Sequence, residues 1–209
     1  MAVAGMGPGA AAIAARRLIE AGATSLVSWG LAGGLDPDLP AGTVCLPREV
    51  IAEDGSRLAT AGSWRETLAA ALEHSPPLGH PPGSGSLITV AQAIDTADAK
   101  SAVRRETGAC AVDMESSAIA QVARVHGVPF IAVRVIVDTA GDSLPPAVTG
   151  ATRAGQVRLM RLMVGLIRSP VEVASLLRLA RRYRAALRAL KTVARLGPLQ
   201  PPLPSRVPV

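Results

Sequence analysis

Apolar residues along the chain recur at two spacings, and the alternation between the two sets out the elements. Residues 10–21 place Ala, Ile and Leu at helical intervals and stop at Gly22. Residues 25–29 (SLVSW) are an apolar run of strand length, followed by the glycine-rich loop GLAGGLDPDLPAG. Residues 43–52 read as a second strand. Residues 63–74 return to helical spacing, with Trp64, Leu68 and Leu72 on one face. After a Pro/Gly/Ser-rich loop come a strand at 87–90, a helix at 96–107, a strand at 109–112 and a helix at 115–126 closed by Gly127. The stretch 130–137 is a continuous apolar strand interrupted only by Arg134, and residues 2–4 are an apolar stub of strand type. Strands alternating with helices predict an α/β fold: a three-layer sandwich with a central, mostly parallel sheet flanked by helices.

A further helix is predicted at 171–195, a span without Gly or Pro, opened by Ser169-Pro170 and ended by Gly197-Pro198. Val173, Leu176, Leu177, Ala180, Tyr183, Leu187, Leu190 and Ala194 recur at steps of three and four and predict its buried stripe. Arg178, Arg181, Arg182, Arg188 and Arg195 fall on the other side. The chain therefore divides into an α/β body at 1–150, a basic helical extension at 151–196 packed on it, and a Pro-rich tail at 197–209.

Charge supports that division. The overall balance is +6, but residues 1–150 hold 10 Lys/Arg against 15 Asp/Glu, whereas 151–209 hold 12 Lys/Arg against Glu172 alone. A basic amphipathic helix suits three roles, ranked here as capping the core, lying on an anionic membrane surface, and binding nucleic acid. Aromatic residues are only 2% of the chain, too few for base-stacking platforms, so nucleic acid is set aside.

Cys45 and Cys110 are too few and too far apart for a disulfide framework or a CxxC metal site, and with three His a zinc enzyme is not indicated. The apolar start lacks a basic n-region and is broken by Gly and Pro, so it does not read as a signal peptide. No run of 18 apolar residues occurs. The expectation is a cytoplasmic protein with reduced thiols.

Ligands of open α/β sheets sit beyond the carboxyl ends of the strands. Four segments should gather there: GMGPG, WGLAGG, VDMES and VIVDTAGD, each leaving a strand for Gly or an acid. Glu115 opens a helix, where a carboxylate is favoured whether or not it acts on a ligand. Asp138 follows a buried strand and reads either as a site acid or as a loop cap. Arg134, inside an apolar strand, requires a partner, either an acid or a bound anion.

The order GLAGGLDP, AVDMESSAIA, PFIAVRVIVDTAGD resembles the nucleoside phosphorylase and nucleosidase superfamily over about residues 3–142. The phrase SWGLAGGLDPDLPAG, with AVDMES and the Arg-rich tail, is most similar to its hopanoid-associated phosphorylases. The resemblance implies a phosphorylase/hydrolase-like fold and cleavage of the N-glycosidic bond of a purine nucleoside by water or phosphate, with no cofactor or metal. For this branch the implied reaction releases adenine from adenosylhopane, a lipid-linked nucleoside. The alternatives are a methylthioadenosine or adenosylhomocysteine nucleosidase, and an inactive purine-binding homologue. A homo-oligomer is implied, and the basic helix would touch a membrane surface.

Carried over by motif, Met114 would pack on the ribose and Glu115 would bind its 2′ and 3′ hydroxyls. Asp138 would supply a proton at N7 of the base. Arg134 would lie near the nucleophile, with Asp113 on the substrate side and Gly5, Gly7 and Gly33 shaping the sugar end. Two departures stand out. Leu31, which would line the substrate side, occupies the position where the family's nucleosidases carry a Ser. The resemblance also begins at Gly5, so the family's water-activating Glu has no counterpart here.

Overall fold

The computed structural model describes residues 7–73, 82–143 and 199–201, together with a helix at 170–196 whose side chains are described for 180–195. Gly5 and the apolar stub at 2–4 lie outside the described residues. Seven strands form one sheet: β1 (Leu26–Gly34), β2 (Val44–Cys45), β3 (Glu49–Ile51), β4 (Arg57–Ala59), β5 (Ser86–Thr89), β6 (Ala111–Asp113) and β7 (Phe130–Asp138). Their order is β2-β7-β1-β6-β5-β3-β4. The helices among the described residues are α1 (Pro8–Glu20), α2 (Gly62–Glu73), α3 (Ala97–Thr107), α4 (Ser116–His126) and α5 (Pro170–Leu196).

The fold class is as the periodicity predicts, with one correction to the sheet. Pairings β1/β7, β3/β5 and β5/β6 are parallel, but β1/β6, β2/β7 and β3/β4 are antiparallel, so the sheet is mixed. The stretch read as one strand at 43–52 accounts for part of this. It breaks at Leu46-Pro47-Arg48, because Pro47 has no N–H for a ladder. Its first half pairs with β7 and its second half with β5 and β4 on the far side of the sheet.

The two faces of β7 define the layers. Phe130, Ala132 and Ile136 pack with Ala15 of α1 and with Ala120 and Ala123 of α4. Ile131, Val133 and Val135 pack with Trp64, Leu68 and Leu72 of α2 and with Ala186, Leu190 and Val193 of α5. A strand covered on both faces must be apolar at every position, which is why 130–137 reads as a continuous run. Arg134 is the exception, and it lies on the α1/α4 face.

Helix α5 spans the predicted range, but its buried stripe is rotated. Ala186, Leu190 and Val193 are buried, whereas Ala180, Tyr183, Leu187 and Ala194 face outward. Ala186, Leu190 and Val193 meet the Ile131, Val133 and Val135 face of β7, which leaves Tyr183 and Leu187 exposed.

Candidate active site

Strand β1 does not stop at Trp29. It runs through the glycine-rich segment to Gly34, paired with β7 from Leu26 to Gly33 and with β6 at Gly33 and Gly34. Those glycines are needed because side chains from the neighbouring strand lie across them. A Cβ on Gly30 would collide with the Arg134 guanidinium. On Gly33 it would meet Val112 at 3.2 Å and the Asp138 carboxylate oxygens at 3.4 and 3.5 Å. The register of β1 and β7 slips between Ala32 and Gly33, so that Gly33 pairs with Asp138. A slip of this kind re-aims the side chain that follows it.

Two polar clusters flank this end of β1. The first is built around Arg134, which is almost fully buried. Its Nη2 lies 2.5 Å from Asp113 Oδ2 and donates to Ser28 Oγ at 2.7 Å and Ser116 Oγ at 2.9 Å. Nη1 reaches the Leu31 carbonyl at 3.4 Å, and the guanidinium lies 3.9 Å from Glu115 Oε2. Asp113 also accepts from Thr89 Oγ1 at 2.7 Å and from the Ser116 amide at 3.1 Å. Thr89 Oγ1 in turn accepts from the Ser117 amide at 2.9 Å.

The free amides at the start of α4 are therefore capped by Asp113 and Thr89. Glu115, at the N-cap position, makes no cap hydrogen bond with its side chain. Its carboxylate is released from that role and instead accepts the Gly7 amide at 3.3 Å. Gly7 opens α1 with φ of 100°, a conformation that favours glycine. Glu115 thus sits at the amino ends of two helices with a quarter of its side chain exposed.

The second cluster surrounds Asp138. Its partner is Lys100 of α3, and both side chains are buried. Lys100 Nζ also donates to the carbonyls of Thr139 at 2.8 Å and Asp142 at 3.0 Å. The Asp142 carboxylate closes the same loop by accepting from the Thr139 amide and hydroxyl at 2.7 and 2.6 Å, and it pairs with Arg182 of α5. Burial pushes the Asp138 carboxyl above its ordinary value, and the Lys100 ammonium opposes that shift without cancelling it. The group therefore retains a proton at higher pH than a free aspartate.

The arrangement offers a partly exposed carboxylate on one side of a glycine strip and a proton-retaining acid on the other. Among the described residues, no group of three His, Cys, Asp or Glu side chains gathers to hold a metal ion.

A family model for the phosphorylase superfamily matches residues 1–168. The chain belongs to that superfamily. Among solved structures of similar fold is a protein assigned as a methylthioadenosine nucleosidase from Weissella paramesenteroides, 25% identical with a TM-score of 0.62, covering 76% of this chain and 75% of the other. The 5'-methylthioadenosine/S-adenosylhomocysteine nucleosidase of Neisseria meningitidis, in complex with methylthio-immucillin-A, is 21% identical with a TM-score of 0.64, covering 92% and 79%. Futalosine hydrolase of Helicobacter pylori is 17% identical with a TM-score of 0.64, covering 91% and 76%.

Against this phosphorylase-superfamily frame, the residues singled out in the sequence divide. Gly33 and Asp138 meet at the 30–34 end of β1, Glu115, which accepts the Gly7 amide, lies 3.9 Å from the Arg134 guanidinium that crosses Gly30, and half-buried Met114 lies between Asp113 and Glu115. Three placements bear on the roles that the resemblance implies. Asp113 is not open to a substrate, because its oxygens are taken by Arg134, Thr89 and Ser116. Arg134 has the acid partner that its burial demanded, with Nε and Nη2 engaged by Ser116, Ser28 and Asp113 and Nη1 reaching the Leu31 carbonyl. Leu31 turns its side chain to the opposite face of the sheet, where it packs with Val27 and Trp29 against the α2/α5 core. Lys100 was not legible, because one Lys in the charged helix ADAKSAVRRET looks like any solvated residue.

Proposed function

We propose that this chain cleaves the N-glycosidic bond of a purine nucleoside. The observation that carries the reading is the placement of Glu115 and Asp138 on either side of the β1 glycine strip, with Asp138 held as a weak acid by burial. As the C1′–N9 bond breaks, positive charge grows on the sugar and negative charge on the base. Glu115, bound to the ribose hydroxyls, stabilises the first. Asp138 gives its proton to N7, so the base departs neutral, an effect of about 10²–10⁴ in rate. Arg134 orients Glu115 and fixes the start of α4. The nucleophile is water or phosphate.

For the substrate we favour adenosylhopane. The similarity of SWGLAGGLDPDLPAG and AVDMES to hopanoid-associated phosphorylases supports it. So does the outer face of α5, where Tyr183 and Leu187 stand exposed beside a row of cations and suit a membrane surface. The chain would act at that surface as a homo-oligomer. A second reading, hydrolysis of methylthioadenosine or adenosylhomocysteine, draws on the structural neighbours.

Adenine release from each of these nucleosides tests both readings. Asp138→Asn should lower release by about 10²–10⁴ on the true substrate. Wild-type turnover in that variant removes the acid from the mechanism. Absence of adenine from every nucleoside supplied leaves a purine-binding protein without turnover.

A further inference from the structure

Lys100 is the most completely buried cation among the described residues, at 0% exposure, and it lies on no motif. An ammonium has three N–H donors, and here each finds an acceptor: the Asp138 carboxylate, the Thr139 carbonyl and the Asp142 carbonyl. All three acceptors belong to one stretch of chain, the end of β7 and the loop that follows it. For stability alone such a pair is a poor device, since desolvating two charges is offset only by good geometry, and apolar residues of the same volume often serve as well.

We propose that Lys100 is the positioning residue of the purine side, holding Asp138 in place and keeping it acidic enough to release its proton. The proposal rests on the reading of Asp138 as the acid at N7. In the step, the O–H bond of Asp138 breaks, the N7–H bond forms, and the C1′–N9 electron pair passes into the purine. The carboxylate left behind is buried, and a bare buried carboxylate is costly. Lys100, keeping its own three protons, stands beside it and stabilises it as it forms. The charged groups facing Asp138 are Lys100 from α3, Asp142 from the following loop and Arg182 from α5. Among the described residues, Lys100 is the one bonded to the carboxylate. Its effect opposes that of burial.

The test is the pH dependence of adenine release by the full chain with Lys100→Met. Release needs Asp138 protonated, so activity falls as pH rises through its pKa. In the variant the plateau should drop at least about tenfold, while the falling limb moves up by at least about one pH unit, the size of shift an adjacent charge produces. A fall in rate with the limb unmoved would assign Lys100 a structural role only and overturn the proposal. Carbon-13 NMR titration of the Asp138 carboxyl, in wild type and Lys100→Met, reads the same shift without a substrate. An unchanged titration there sinks the inference about Lys100, while loss of release in Asp138→Asn would leave the function standing.

Lys100→Met combined with Asp138→Asn removes both charges and leaves no unpaired buried ion, so it remains informative if the single variant fails to fold. It should release adenine at the rate of Asp138→Asn alone. A further fall of tenfold or more would show that Lys100 does not act through Asp138.

Discussion

Arg134 and Asp113 meet 2.5 Å apart with both side chains buried against the first turn of α4. Each satisfies a demand the other creates. The strand needs a partner for its one cation, and the helix needs an acceptor for its free amides. Replacing Asp113 with Asn keeps the shape and removes the charge. Breaking a buried pair in this way costs about 3–5 kcal/mol. Urea unfolding should show Asp113→Asn destabilised by that order, and a change below about 1 kcal/mol would mean that Ser28, Ser116 and Glu115 suffice for the guanidinium.

Glu115 is expected to behave in the opposite way. Its carboxylate has one amide partner and a quarter of its surface in solvent, so Glu115→Gln should unfold close to wild type. Activity should suffer instead. Hydrogen bonds to a charged group contribute about 1.5–3 kcal/mol, so kcat/KM for adenine release should fall about 10- to 100-fold. A large stability loss with unchanged kcat/KM would place Glu115 in the scaffold and not at the sugar.

These two acids show how far the sequence reaches. Neighbours in VDMES, they have the same chemical type, and the pattern alone puts both at a strand end. What separates them is which one caps α4, and that depends on Thr89 and Arg134, 24 and 21 residues away from Asp113 along the chain. The layers were legible because strand β7 is apolar on both faces and α2 carries Trp64, Leu68 and Leu72 at helical spacing. The mixed sheet was not, because a break at Pro47 does not say which edge each half will join. GLAGG was read as a loop because glycine weakens strands, yet here it lets Arg134 and Asp138 lie across the backbone. The stripe of α5 was misplaced because eight apolar positions on one side of a wheel do not show which half meets the sheet. Lys100 left no signal, since burial of a lone cation is decided by loop 139–142 closing over it.

Asp142 links this loop to α5 and gives a pH signature. Burial works to raise its carboxyl, but the Thr139 hydroxyl and amide and the Arg182 guanidinium outweigh burial and hold it below the ordinary aspartate value. A lowered folded pKa contributes stability above the ordinary carboxylate range and loses it as pH falls through the lowered value. Both side chains are about one-third exposed, so the Arg182 part is of the surface kind, about 0.2–1 kcal/mol. Arg182→Met should be less stable than wild type by that amount at neutral pH. The gap should close in acid once Asp142 is protonated in both proteins. A gap that persists through that range in denaturant titrations would show that Arg182 acts by packing and not by charge.

The outward face of α5 is the other place where the structure departs from the expected pattern. Tyr183 is 48% and Leu187 37% exposed, although both belong to the apolar stripe of the helix. At 100° per residue they align with Ala180 and Ala194, and Arg184, Arg188, Lys191 and Arg195 form a row beside them. Between Ala180 and Arg195 the helix carries six cations and no acid. An apolar ridge edged by cations matches an anionic lipid surface, where each Lys or Arg adds about 1 kcal/mol. Co-sedimentation should therefore capture the chain on phosphatidylglycerol vesicles and not on phosphatidylcholine vesicles, with capture weakened by salt. Arg184→Glu with Arg188→Glu spares the Arg182–Asp142 pair and should weaken capture at least about thirtyfold, as the loss of two such contributions requires. Equal capture of the double variant, or of wild type on neutral vesicles, would leave this face a solvated surface and remove the main structural support for a lipid-linked substrate.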